Sequence, residues 1–148
     1  MSKIGPAGVG PIVFGMTPSK AASTGTHLTR PNSAIPDDSC YYLHPSPELG
    51  IDFMVVQGTL RRVDVRTPAM QTVDGFRVGD SVAKVREFYG TRAQVFPAKY
   101  DPGAQVIEVA PRGADAAKFR TVFSGKNGVV REIIAGALPQ VLWVERCG

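Results

Sequence analysis

Two stretches of this chain are written alike, and that duplication constrains the fold more than any other feature. Residues 8–25 read GVGPIVFGMTPSKAASTG and residues 75–90 read GFRVGDSVAKVREFYG. Each passes from glycine through a short apolar stretch to a helical segment and ends on glycine. A unit this small cannot bury its own apolar face and must pack on its twin. Met16–Thr17 corresponds to Asp80–Ser81. Thr17 and Ser81 are good N-cap residues, Pro18 suits the first helical position, and Gly25 and Gly90 suit the C-terminal side.

The parallel continues downstream. Residues 51–65 (IDFMVVQGTLRRVDV) resemble residues 119–135 (FRTVFSGKNGVVREIIA), each reading as strand, tight turn, strand. Asn127-Gly128 is a strong two-residue hairpin signal and Gln57-Gly58 a weaker one, because both positions of such a turn need positive φ. Further strands are expected near 39–43, 93–97, 104–110 and 140–145. Tyr100-Asp-Pro-Gly103 reads as a turn, and His27 to Ser39, with Asn32, Pro31, Pro36 and Asp37–Asp38, reads as a loop. The predicted fold is α+β: two tandem helix-plus-antiparallel-meander repeats, about 8–72 and 73–148, forming one sheet with helices on one face. The 148 residues are expected to form a single domain.

Period-two alternation assigns faces. Ile51, Phe53 and Val55 share one face. Val63 and Val65 share a face of the return strand, and Arg62, Asp64 and Arg66 take the other. Arg120 joins that second face, with Glu132 if the registers match. The expectation is an apolar, helix-covered face and an open polar face carrying surface ion pairs around Asp64. Gly5, Gly8 and Gly10 lack the G-x-G-x-x-G spacing, since Val13 stands in the third glycine position, and read as a flexible lead into a strand.

These residues resemble known families. The two tandem units, with Gly15-Met16-Thr17 and Val78-Gly79-Asp80-Ser81 opening their helices, resemble the beta-lactamase inhibitory protein family and the related small outer-membrane assembly lipoproteins. Cys40-Tyr41-Tyr42, Phe53-Met54-Val55 and Val144-Glu145-Arg146-Cys147 are similar to a set of uncharacterised exported bacterial proteins that often end in Glu-Gly-Cys. The resemblance runs from about Gly8 to Cys147 and implies the repeat fold and an exported setting. It transfers no target. The inhibitors carry a disulfide within each repeat and the lipoproteins begin at a lipidated cysteine, whereas this chain has 2 cysteines in all.

Those two cysteines allow one disulfide or two free thiols. A Cys40–Cys147 bond would staple the C-terminal strand and close a loop of 107 residues, worth up to about 4.7 kcal/mol by the chain-entropy argument. An oxidised pair implies a periplasmic or secreted protein whose export signal lies outside these residues; free thiols imply the cytoplasm. Met1-Ser2-Lys3 leads into Gly- and Pro-rich sequence without the apolar core of a signal peptide. No apolar run reaches the roughly 18–20 residues of a membrane span; Ile133 to Val144 is broken by Gly136, Pro139 and Gln140.

No cofactor is expected, and no metal, because His27, His44, Cys40 and Cys147 have no ligand spacing. The net charge of +4 permits anionic partners, but the basic residues are scattered, with the densest groups at Arg61–Arg62–Arg66 and Arg112–Lys118–Arg120, which disfavours nucleic acid. Asp37–Asp38 read as solvated. Tyr41, Tyr42 and Trp143 are candidate contact aromatics beside arginines; core placement is the competing reading. The leading expectation is a binding module for another protein or an envelope component, acting through Arg62, Asp64, Arg66, Arg120, Tyr41, Tyr42 and Trp143. A small hydrolase with a site near His44 or the acidic residues is the first alternative, and His44 could serve as base to Cys40 as nucleophile. A cytoplasmic anion or nucleic-acid binder is the second.

Overall fold

The computed structural model describes residues 2–31, 38–45 and 49–147. Its main element is a seven-stranded antiparallel sheet in the order β4-β5-β6-β10-β9-β8-β7. The strands are β4 (Cys40–Leu43), β5 (Ile51–Val56), β6 (Thr59–Val65), β7 (Ala93–Pro97), β8 (Ala104–Val109), β9 (Phe119–Lys126) and β10 (Val129–Ala137). A second, three-stranded sheet joins β1 (Ile4–Gly5), β2 (Gly8–Val9) and β3 (Ile12–Val13). Two short helices complete the fold, α1 (Pro18–Ser23) and α2 (Val82–Tyr89). The chain is therefore mostly β, with two antiparallel sheets and few helices.

Local chemistry sets the element ends. Thr17 and Ser81 each accept a hydrogen bond from the backbone N–H three residues on, at Lys20 and Lys84, satisfying a donor the first helical turn leaves free. Both hairpin turns have positive φ at both central residues: 51° and 83° at Gln57-Gly58, 54° and 78° at Asn127-Gly128. That conformation matches the twist of the flanking strands.

Each hairpin also carries a bulge just after its turn. Val55 pairs with Leu60 but Met54 with Arg62, so Arg61 is the extra residue; Val130 pairs with Gly125 but Glu132 with Ser124, so Arg131 is. One added residue flips the parity of a strand. Leu60 and Arg62, two apart, thus lie on opposite faces, as do Val130 and Glu132.

One face of the sheet holds the main core: Ile51, Phe53, Val55, Leu60, Val63, Val65, Ile107, Phe123, Val130, Ile133 and Ala135. The same cluster takes Ala21 of α1, Val82, Val85 and Tyr89 of α2, and Ile4, Val9, Ile12 and Phe14 from the N-terminal strands. The glycines near the N-terminus are therefore not a flexible lead. Ile4 is tied to the main body by bonds to Gln71 and Val73, both 2.9 Å, and a side chain at Gly8 would collide with the Ile12 carbonyl one strand away.

The expected strand at 140–145 does not form. β10 lies between β6 and β9, and Pro139 has no N–H for a ladder. The chain leaves the sheet after Ala137, turns through a short 3-10 segment (Gln140–Leu142), and crosses the second face of the sheet as a strap to Cys147. Cys147 is bonded to Cys40 at the outer strand β4.

Gly136 lets the hairpins meet. Its Cα faces Arg62 across the β10–β6 ladder, and a Cβ there would collide with the Arg62 backbone and Cβ. Gly136→Ala is expected to lower unfolding stability by about 1–3 kcal/mol or more, as overpacking does, read by urea denaturation. A neutral result would mean that the β6–β10 junction yields.

Candidate binding groove

The second face of the sheet is polar near β4–β6 and apolar toward β7. Asp64 of β6 is 0% exposed and Arg62 is 1% exposed, so the expected open face with surface ion pairs is not what these two residues make. The strap lies on them. Arg62 Nη1 donates to the carbonyls of Gln140 and Trp143, each at 2.9 Å, while Nη2 donates to Asp64 Oδ2 at 2.9 Å. Arg62 Nε and Asp64 Oδ1 lie 2.8 Å apart, but the N–H is out of line and neither atom completes a hydrogen bond. Val141, 1% exposed, is the strap's apolar anchor. Alternation thus placed Arg62 and Asp64 on the correct face, and a segment nearly eighty residues away buried them.

Arg146 ties the strap to the rest of the polar cluster. Its guanidinium stacks 4.3 Å from the Tyr42 ring centroid, donates to Tyr42 Oη at 3.0 Å, and pairs with Asp64 at 3.2 Å and Asp52 at 3.4 Å. Asp52 also accepts from Arg66 and meets His44 Nδ1 at 3.2 Å, and Arg66 reaches Glu132 at 3.3 Å. Burial alone would raise the Asp52 carboxyl; the Arg66 and His44 bonds and the Arg66 and Arg146 charges outweigh it and hold it below the usual carboxylate range. Tyr42 is raised, chiefly by burial and then by the Asp64 charge.

The other expected contact residues divide. Arg66 is exposed at the margin of this cluster. Arg120 shares the face but spends its guanidinium on the carbonyls of Ala116 and Phe119. Tyr41 points to the opposite side, against the core, with Arg30 stacked 4.0 Å from its ring centroid. Cys40 is oxidised and unable to act as a nucleophile. His44 and Asp52 stand as base and orienter do in a dyad, but among the described residues no hydroxyl or thiol is bonded to the His44 ring; the Thr29 hydroxyl donates to its backbone carbonyl. His27 is exposed, and no group of metal-ligating residues occurs among the described residues. Asp37 lies outside the described residues; Asp38 is exposed and paired with Arg30 at 2.7 Å.

Between the strap and the β7–β8 hairpin runs a groove of about 320 Å³. One wall is Leu142, Trp143 and Val144 of the strap; the other is Phe96 and Tyr100; Val106, Val122 and Ile134 form the floor with Glu108, Ser124 and Glu132. Leu142, Trp143, Val144, Phe96 and Tyr100 are 37–63% exposed. Among the described residues, these are five of the nine large apolar side chains left in solvent, gathered at one place. Tyr100 Oη donates to Glu145 at 2.5 Å, bridging the two walls. Of these wall residues, Trp143 was expected as a contact residue and the other four were not. The signal for Phe96 was present: within AQVFP it alternates against Val95, which packs on the core.

Glu108 has no ion-pair partner among the described residues. Burial raises its carboxyl, with the Arg120 charge opposing, and Glu132 is raised by burial and by Asp64 against the pull of Arg66 and Arg146. A raised folded-state pKa means that the native state binds the proton more tightly. The stabilisation is then fully present below the ordinary glutamate range and is lost as pH rises through the raised value. Asp52 has the opposite sign, its contribution lost as pH falls through its depressed value. Glu108→Gln is therefore expected to raise the melting temperature at pH 7 and to flatten the stability slope just above the ordinary glutamate range. An unchanged slope in calorimetry from pH 4 to 8 would show that Glu108 is not desolvated.

No protein-family model matches the chain, and no curated protein matches it. Among solved structures, its fold is similar to that of the uncharacterized protein yfeY from Escherichia coli, with a TM-score of 0.58 at 16% identity, over 90% of this chain and 99% of that one. At that identity the likeness is one of fold.

Proposed function

We propose that the chain is an exported binding module, periplasmic or secreted, that holds a partner protein in the groove between strap and β7–β8 hairpin. The observation that carries this is the gathering of Phe96, Tyr100, Leu142, Trp143 and Val144 in solvent around one concave site. Isolated exposed apolar residues are ordinary, whereas a contiguous apolar patch marks a contact surface. The Cys40–Cys147 bond supports the compartment, because disulfides form and persist where conditions are oxidising. A protein inhibitor or an envelope accessory is the kind of role such a module serves.

Internal duplication and kinship to the beta-lactamase inhibitory protein and assembly-lipoprotein families belong to the same proposal. Its support is the agreement of details at corresponding positions: caps at Thr17 and Ser81, turns at Gln57-Gly58 and Asn127-Gly128, and bulged arginines Arg61 and Arg131. Buried residues of α1 and α2 enter the core cluster on the same face of the sheet.

The test is a photo-crosslinking residue at Leu142, in the groove wall, compared with one at Val13, an exposed apolar position on the small sheet. In the native host, with the natural upstream sequence, Leu142 should capture a discrete partner protein in the envelope or medium fraction and Val13 should not. Equal capture at both positions, or none at Leu142, would reject the groove as the binding surface.

A further inference from the structure

The two edges of the seven-stranded sheet are treated differently. At β4 the edge is guarded: Cys40 is cross-linked to the strap, Thr29 and His44 exchange backbone hydrogen bonds at 2.9 Å, and Arg30 covers Tyr41. At β7 it is bare. Ala93–Pro97 pairs with β8 in unbroken register from Ala93–Val109 to Pro97–Gln105. Gln94 and Phe96 turn their backbone groups to β8, in step with the Ala98 N–H that bonds Ala104, so the outer side presents the Val95 N–H and the carbonyls of Ala93, Val95 and Pro97, to which no described residue bonds.

Natural sheets blunt such edges with lysine, inward-pointing charge, bulges or a covering segment. The sequence Ala-Gln-Val-Phe-Pro carries no charge, has no bulge, and bears proline only at its last position. Both faces beside this edge offer apolar support. On the strap side stands Phe96, 42% exposed. On the helix side a cleft of about 380 Å³ opens between α2 and β7, lined by the apolar Ala83, Ala93 and Val95 and by Gly90, with the charged Arg86 and Glu87 also bordering it. A strand laid along β7 would find Phe96 for side chains of one parity and this cleft for those of the other.

We infer that the outer edge of β7 is a docking site for an extended segment of a partner polypeptide, which adds to the sheet as an eighth strand. Main-chain hydrogen bonds supply the affinity, and the cleft under α2 selects apolar side chains at alternate positions, the division of labour of strand addition. The site shares only Phe96 and Pro97 with the groove, so either can fail alone.

The experiment titrates isotopically labelled, disulfide-intact protein with the peptide acetyl-Val-Thr-Val-Thr-Val-Thr-Val-amide. The control is the same peptide N-methylated at alternate residues, which removes its hydrogen-bond donors. The expected result is saturable shifts at the amides of Gln94, Val95 and Phe96, slowed hydrogen exchange at Val95, whose N–H points outward, and at least a tenfold loss of affinity for the methylated peptide. Equal binding of both peptides, or no response at these amides, overturns strand addition. So does protection of the Val95 amide without peptide, together with a doubled mass in solution, since the occupant would then be a second copy of this chain. The Trp143 indole signal, followed with the neutral apolar dye Nile red, reports the groove separately.

Discussion

Asp64→Leu is expected to destabilise the fold by about 3–5 kcal/mol, because it leaves Arg62 charged and unpaired at 1% exposure. Arg62→Met should cost at least as much. It strands Asp64 beside Arg146 alone and also removes the donor of the Gln140 and Trp143 carbonyls, two part-buried hydrogen bonds worth about 1 kcal/mol each. The double variant Arg62→Met with Asp64→Leu should be far less harmful than the two losses added, since replacing both charges of a buried pair avoids the uncompensated ion. What remains is the price of the strap carbonyls. A double-mutant cycle in guanidinium chloride measures the coupling; strict additivity would show that the pair is not held together in the folded state. Only Arg62→Met should also speed hydrogen exchange along 140–143, because Asp64→Leu leaves Arg62 free to hold those carbonyls.

Cys40→Ala with Cys147→Ala should lower stability by about 2–5 kcal/mol. At about 2–4 °C per kcal/mol for a chain of this size, that is a fall in melting temperature of roughly 10 °C. The bond closes a loop of 107 residues, so most of its effect is the freedom it denies the unfolded chain. The strap keeps its other anchors in the variant: Val141 stays wedged and Arg62 still donates to two carbonyls. The native emission of Trp143, the chain's single tryptophan, should therefore hardly change below the transition. A shift toward fully solvated emission in the native baseline would instead make the disulfide the clasp that keeps the groove wall in place.

Lys99 stands at the tip of the hairpin that carries Tyr100, and Lys126, at the end of β9, pairs with Asp101 of that tip at 2.9 Å. Such exposed pairs contribute about 0–1 kcal/mol, so the groove's outer wall is set by strand pairing rather than by charge. The floor behaves differently. Glu132 touches Arg66, while Glu108 has the uncharged Val122 and Gln94 across its ladders, a setting in which burial outweighs the opposing Arg120 charge.

What the sequence determined by itself was local. Thr17, Ser81, Gln57-Gly58 and Asn127-Gly128 act within three or four residues of themselves, and so they could be read before any fold was known. Alternation likewise separated Val63 and Val65 from Arg62 and Asp64, because strand parity is a property of consecutive residues. Tertiary structure decided the rest. Whether Arg62 and Asp64 meet water depends on a strap from 138–147 that no pattern near β6 announces, and the strand expected at 140–145 was lost because β10 already had neighbours on both sides. The bulges at Arg61 and Arg131 flip strand parity at a single residue, which put Leu60 in the core and Glu132 over the groove floor. The groove itself exists because Arg62 and Val141 hold residues 142–144 over the sheet to face Phe96 and Tyr100. That approach is long-range, and the energy deciding it is the burial of a charge pair and of Val141, terms that exist only once distant segments are already together.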